Sequence, residues 1–484
     1  MTDAILINVT PPETRVAIVE NGVVQEVLIE RARNRGRVGN IYKGRICRIL
    51  PGMQAAFVDI GLDKAAFLHV SDLSQPERDN AQKDQIEQVL RDGQDVVVQI
   101  IKDSIGAKGA RVSTEISIPS VYQVYMPRTR HCGVSQRIEQ EAERQRLKTC
   151  NETFQKEHAT GGFISRTAAE GVEESLLRAD MLFLLKLWNS IAQRNKTAKP
   201  KTLLHEDLPL SMRVLRDMHR ARTEKIRVDS RETYARLSKF AREFAPELAP
   251  IIEHYAGERP LFDLYGVEDE IHKALERRVA LKSGGYLIFD QTEALTTIDV
   301  NTGGFVGGRN LEETIFKTNL EATQTIARQL RLRNLGGIII IDFIDMRDEE
   351  HRRQVLQSLA RNLDKDHARN AISGVSALGL VEMTRKRTTE SLEHILCEPC
   401  PTCSGRGSLK TPETVCLEIF REVIREVRQY SVQELMVLAS NEVVERLLDE
   451  EAGALSELET FLGIRIRFRA ESQYNQEQYD VVLL

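Results

Sequence analysis

Two short stretches place acids where strands would end. In TTIDVN (296–301) β-branched and polar residues alternate, and the twofold period of a strand puts Asp299 and Asn301 on one face with Thr297 below them. In GGIIIID (336–342) four consecutive isoleucines predict a strand buried on both faces, ending on Asp342 where the strand meets solvent. Two carboxylates and an amide make a hard oxygen site that suits Mg²⁺. An Asp after an apolar strand is also often only a cap. The aliphatic run followed by Asp resembles the second motif of a P-loop NTPase, but no G-x-x-x-x-G-K-[ST] occurs in the chain. Gly303, Gly304, Gly307 and Gly308 do not follow the dinucleotide fingerprint, so they read as a flexible loop beside the acids.

The segment between the two strands must position them. Asn310 can cap a helix with Glu313 three residues on, and Leu311, Ile315, Ala322, Ile326 and Leu330 keep helical spacing until Gly336 and Gly337 stop it. Strand, crossover helix and strand form one βαβ unit, whose strands lie parallel in one sheet. Asp299 and Asp342 are therefore expected to converge at the carboxyl edge, where the ligand sites of α/β sheets gather.

The chain has 484 residues, too many for one core, and predicts three or four domains. Apolar residues at 41% and charged residues at 29% describe an ordinary globular protein rather than a disordered or fibrous one. No apolar run is long enough to cross a bilayer and the opening residues carry no export signature, so a cytoplasmic location away from membranes is expected. With a net charge of −5, affinity for nucleic acid has to come from local patches. Seven cysteines, three of them clustered, suggest thiols and metal rather than a disulfide framework.

Along the chain, ILINV, RVAIV and VVQEVLI alternate, and Asn21-Gly22 between the second and third is a hairpin signal. Residues 31–48 hold seven Lys or Arg and no acid, and the short strands that follow suit a small closed β-barrel. Phe57 and Phe67, with Tyr42 and Lys108 nearby in the pattern, would give such an OB-type barrel rings for bases and a cation for the backbone, a grip for single-stranded RNA. Arg166 and Thr167 stand side by side in a turn, a guanidinium beside a hydroxyl, where a terminal phosphate could be held. RNKTAKPKT (194–202) reads as an exposed linker, helical patterns dominate 211–281, and Arg385, Lys386 and Arg387 form a cationic cluster read either as a phosphate contact or as plain solubility. In CEPCPTCSGRG, Cys400 and Cys403 supply half of a tetrahedral zinc site. Either Cys397 and His394 complete it within the chain, or two chains each contribute a pair. A long helix and small α/β elements close the sequence, with strands near 435, 464 and 480.

Taken together, GNIYKGRICRILPGMQAAFVDIGLDKAAFLH, ISRTAAEG, the 296–346 segment, LVEMTRKR and CPTCSGRG closely resemble the bacterial ribonuclease E/G family over essentially the whole chain. With no long acidic or Arg/Pro-rich scaffold after them, the shorter branch of that family is the better match. The resemblance implies a multidomain α/β and α+β chain: an RNase H-like part (1–36 with 212–276), an inserted OB-fold RNA-binding domain (37–117) and a 5′-phosphate sensor (118–211). A DNase I-like catalytic domain (277–396), a zinc link (397–411) and a small dimerisation domain (412–484) would follow. It implies a Mg²⁺-dependent, single-strand-specific endoribonuclease that favours 5′-monophosphorylated RNA and leaves a 5′-phosphate and a 3′-hydroxyl. Precursors of ribosomal RNA and messenger RNA would be its substrates, and a homodimer or higher homo-oligomer its assembly. By that likeness Asp299 and Asp342 hold Mg²⁺ with Asn301 in support. Phe57, Phe67 and Lys108 grip RNA, Val124, Arg166, Thr167 and Arg369 receive the 5′-phosphate, and Cys400 and Cys403 share Zn²⁺ between subunits. Where the long branch of the family has two adjacent arginines, this chain has Gln136 and Arg137, which removes a cation beside the sensor. A non-catalytic RNA-binding factor in ribosome assembly is the alternative from another class.

Overall fold

The computed structural model describes residues 3–34, 36–74, 86–104, 109–158, 160–217, 223–304, 311–387, 389–430 and 432–484. The chain forms two compact units, Met1–Ile395 and Leu396–Leu484.

The first unit opens with strands Asp3–Val9, Glu13–Glu20 and Val23–Arg31, paired antiparallel. The predicted hairpin forms because Asn21 (φ 51°) and Gly22 (φ 79°) both adopt positive φ, which the tight turn requires and these two residues tolerate. Two strands from far along the chain, Thr223–Val228 and Ile252–His254, join this sheet parallel to its first strand. They lie within the stretch read as helical. The helices flanking them are amphipathic, and Ser230 caps one by accepting the Thr233 N–H, so the pattern is genuine but broken by short strands.

Six strands between Ile41 and His205 form a barrel, ordered Thr202–His205, Ile41–Leu50, Ala55–Asp59, Ala66–His69, Arg111–Ser113, Asp95–Lys102, and closed by pairing of Ile41–Leu50 with Asp95–Lys102. The stretch predicted as a linker is not one. Residues 194–197 are the last turn of helix Glu174–Thr197, and Thr202–His205 pairs with Ile41–Lys43. Lys201 adds an ion pair to Asp59 at 2.6 Å. Beside the barrel, a four-stranded sheet carries Gln123–Met126 between Ile118–Pro119 and Gly162–Ser165.

The remaining sheet runs Arg278–Ala280, Tyr286–Gln291, Leu295–Asn301, Gly337–Asp342, Val381–Arg385, Asn370–Val375. Leu295–Asn301 and Gly337–Asp342 are parallel neighbours joined by helix Leu311–Leu332, the predicted βαβ unit. The proposed cap Asn310, with Gly307 and Gly308, lies outside the described residues. The Ile338–Ile341 strand departs from expectation: Ile339 and Ile341 are buried, but Ile338 is 49% exposed. Helices Leu311–Leu332 and Glu349–Leu363 contribute Ala322, Ile326 and Leu359 to the cluster around Ile339 and Ile341 on one face of the sheet. Asp299 lies on the opposite face and is exposed.

In the second unit, strands Glu434–Ala439, Arg465–Ala470 and Tyr479–Leu483 form a three-stranded sheet. Val415, Ile419 and Val423 of helix Pro412–Gln429, one apolar stripe at helical spacing, pack on its core, and Thr411 caps that helix. Among the described residues, no helix is long and apolar enough to cross a membrane.

Candidate active site

Register decides the geometry here. In the parallel ladder Leu295 faces Ile338, Thr297 faces Ile340 and Asp299 faces Asp342, so the two carboxylates are direct neighbours on one face at the end of adjacent strands. Asn301, two residues on and on the same face, donates its amide N–H to Asp299 Oδ2 at 2.8 Å. Burial, then the nearby charges of Asp299 and Asp345, raise the Asp342 carboxyl above the ordinary Asp range. A cluster of like charge with its acceptors outward invites a divalent cation. Among the described residues, no group of three His, Cys, Asp or Glu side chains is placed to hold a metal ion, and the register brings two carboxylates together here. That donor set fits Mg²⁺, which keeps much of its shell as water and substrate oxygen. Gly303 turns the chain beside the acids at φ 60°, and a Cβ there would lie 2.5 Å from the Gly284 carbonyl oxygen.

The barrel carries a second constellation. Phe57 and Phe67 are cross-strand partners with ring centroids 6.2 Å apart, and His69 stacks on Phe67 at 6.4 Å. Following the ladders outward, Arg48 pairs with Phe57, Arg111 with Phe67 and Lys102 with Arg111. A row of cation, ring, ring, cation, cation thus crosses five strands. Sequence reasoning found the two rings and missed Arg48, His69, Lys102 and Arg111, whose alignment exists only once the strands pair. Lys108 lies outside the described residues. Tyr42 is buried in the barrel core.

In the sheet beside the barrel, Val124 is half-buried opposite Ile164, and Thr167 shares a hydrogen bond of 3.0 Å with Ser135. The Arg166 guanidinium is engaged by protein. Nη1 donates to the carbonyl oxygens of Ser120 (2.6 Å) and Arg216 (3.2 Å), and Nη2 donates to Asp217 Oδ1 (2.6 Å). Arg137 Nη2 donates to the carbonyl oxygens of Asp366 (3.2 Å) and His367 (3.0 Å), which brings the loop before exposed Arg369 against this sheet. Of the Arg385–Arg387 cluster, Lys386 and Arg387 are exposed, but Arg385 fits neither expected role. Arg385 faces Gly337, at the opposite end of the strand from Asp342, and its buried guanidinium makes a two-pronged ion pair with Asp366. Arg387 Nε donates to the Gly336 carbonyl.

In the second unit, backbone N–H groups of Cys403 and Thr402 hold the Cys400 thiol below its ordinary range, and the Gly407 N–H reaches Cys403 Sγ at 3.3 Å. Donated hydrogen bonds of this kind favour thiolates, and so a soft metal.

Aromatic rings set among cations on a barrel, in the same unit as parallel strands that end on paired carboxylates, define a protein built to handle nucleic acid. Residues 117–388 match the model of the ribonuclease E/G family, 36–115 that of the S1 RNA-binding domain, and 399–483 that of the RNase E/G thioredoxin-like domain. The chain is 56% identical to ribonuclease G of Escherichia coli K12 over the full length of both, and 54% identical to ribonuclease G of Haemophilus influenzae over 99% of each. It is also 37% identical to ribonuclease E of Escherichia coli K12, covering 99% of this chain and 46% of that protein. The chain belongs to the ribonuclease E/G family and is an endoribonuclease, which displaces the reading of a non-catalytic RNA-binding factor. Its barrel is an S1 domain of OB type, and its second unit is the small thioredoxin-like domain of the family.

Proposed function

We propose that the chain is a Mg²⁺-dependent endoribonuclease acting on single-stranded RNA with a preference for 5′-monophosphorylated ends, in maturation of ribosomal RNA 5′ ends and turnover of messenger RNA in the cytoplasm. The observation that carries the catalytic part is the register of Asp299 against Asp342. Asp299 and Asp342 would hold Mg²⁺, whose chemistry there would be Lewis-acid stabilisation of charge on the phosphate and a lowered pKa for water. Asn301 fixes the rotamer of Asp299 through its amide N–H, so that one carboxylate oxygen is held and the other left outward. Phe57 and Phe67 stack unpaired bases, while Arg48, Lys102 and Arg111, with Lys108, follow the backbone. Hydrolysis leaves a 5′-phosphate and a 3′-hydroxyl.

The same reading assigns the RNase H-like, sensor, DNase I-like and zinc-link segments the boundaries given above. Val124, Arg166, Thr167 and Arg369 serve the RNA 5′ end. Since Arg166 is bound to Asp217 and three carbonyl oxygens, its part is to brace the Thr167 turn unless a phosphate draws it out. Cys400 and Cys403 hold half of a zinc site that a second chain completes, which makes the assembly at least a homodimer.

The test is Asp299→Asn and Asp342→Asn on a 5′-monophosphorylated single-stranded oligonucleotide with Mg²⁺. Cleavage falls by at least about a hundredfold, about 3 kcal/mol in the barrier, while RNA affinity stays within a few fold. Retained cleavage in both variants would place the chemistry elsewhere.

A further inference from the structure

Immediately past Asp342 the chain leaves the strand and walls a cleft of about 300 Å³ between residues 343–346, helix Glu349–Leu363 and the turn at 375–381. Its floor is apolar: Phe343, Met346, Val355 and Val381 are each at most 7% exposed. Its rim is apolar too, but open, with Val375 43% and Leu378 84% exposed. Three polar side chains line it, Asp345, Arg352 and Ser376, the last with its Oγ accepting from the Leu380 N–H at 3.3 Å. The Asp345 carboxylate lines the mouth and acts on Asp342 through its charge. Arg352 also lines the cleft, with Nε donating to the Met346 carbonyl at 2.7 Å, and it is exposed.

These are the requirements of a flat group with apolar faces and a polar edge, tethered to an anion. Apolar walls receive a ring face, a carboxylate accepts from a ring N–H or an exocyclic amine, and a guanidinium meets a phosphate. The volume lies at the low end for a small-molecule site and suits a single ring system. Resting on the ribonuclease reading, we propose that this cleft is a nucleobase subsite, which takes one unstacked base of the substrate strand beside the scissile phosphate and thereby sets where the strand is cut. Phe343 follows Asp342 directly, so a base seated here fixes the strand relative to the paired carboxylates as firmly as the fold fixes those two residues.

The experiment removes the base from the RNA and the space from the protein. A short single-stranded RNA with one cleavage site is made with an abasic ribose at each position around the cut in turn, and single-turnover rates are measured. Besides the positions stacked on Phe57 and Phe67, wild type should lose roughly tenfold in kcat/KM at one further position, about the worth of one seated base. Ala377→Trp, a substitution of an exposed residue that lays a ring over the cleft, should show that loss on intact RNA and no further loss at that position. Leu378→Ser, at the most exposed part of the rim, should show a smaller loss of the same kind if the tryptophan variant fails to fold. An abasic scan flat outside the positions stacked on Phe57 and Phe67, or Ala377→Trp cutting intact RNA like wild type, overturns the subsite. A loss in Ala377→Trp that merely adds to the abasic loss, with a changed mass on a sizing column, gives the cleft to a second copy of the chain and also overturns it. If wild type cuts none of the RNAs, the ribonuclease reading itself falls first.

Discussion

Asp180 is a carboxyl taken out of water and then satisfied. It accepts from Ser120 Oγ and from the backbone N–H groups of Tyr122 (3.2 Å) and Gln123 (3.0 Å), and burial outweighs those bonds to push its pKa up to about 6. A free Asp releases its proton near 3.8, so between about pH 4 and 6 the folded chain holds a proton that the unfolded chain has lost. Stability from this group is therefore present at the acid end and lost as pH rises through 6, by on the order of 3 kcal/mol. In Asp180→Asn the amide keeps the acceptor for the two N–H groups and turns a donor to Ser120. Urea unfolding of the variant should show a flatter pH profile from 4 to 6 and no loss at pH 7. The barrel rings make a second residue-level prediction. Phe57→Ala and Phe67→Ala should each raise KM for single-stranded RNA by about fivefold to a hundredfold with kcat nearly unchanged, since stacking holds the strand in ground and transition state alike. A fall in kcat alone would assign the rings to chemistry instead.

Helix Leu311–Leu332 owes its placement to more than its apolar stripe. Near its end the Arg331 side chain, 4% exposed, is bound by Glu20 and Glu26 of the first hairpin, each through a hydrogen bond of 2.8 Å. Arg331→Ala strands two shielded carboxylates and should cost about 3–5 kcal/mol in thermal or urea unfolding, with much of that regained in the triple variant Arg331→Met, Glu20→Gln, Glu26→Gln. The strand–helix–strand path of this element was legible in sequence because one hand and one register bring Asp299 beside Asp342. The Thr223–Val228 strand was not, because TEKIRV finds its partner some 220 positions earlier and sits between strong amphipathic helices. The short TLLH strand was hidden by its basic neighbours for a similar reason. Arg166 and Arg385 read as free cations, but their acceptors are backbone carbonyls and distant acids that no local pattern announces.

At the scale of the molecule, the zinc half-site proposed for Cys400 and Cys403 predicts assembly. Cys403→Ser should elute as a monomer and retain no zinc, while Cys397→Ser should keep both mass and metal. Zinc retained by Cys403→Ser at unchanged mass would locate the metal within one chain. A different property follows from the first sheet, whose strands come from residues 3–31 and again from 223–254. At roughly 5–20 residues per second, a ribosome needs on the order of ten seconds or more to deliver the second set after the first. Throughout that interval the Asp3–Val9 strand waits with one edge unclaimed, while five of the six barrel strands, all within 41–113, are already available to close on one another. Nascent chains arrested near residue 150 should thus show a protease-resistant barrel behind a sensitive amino-terminal hairpin, and the hairpin should become resistant only in chains that extend well past residue 254.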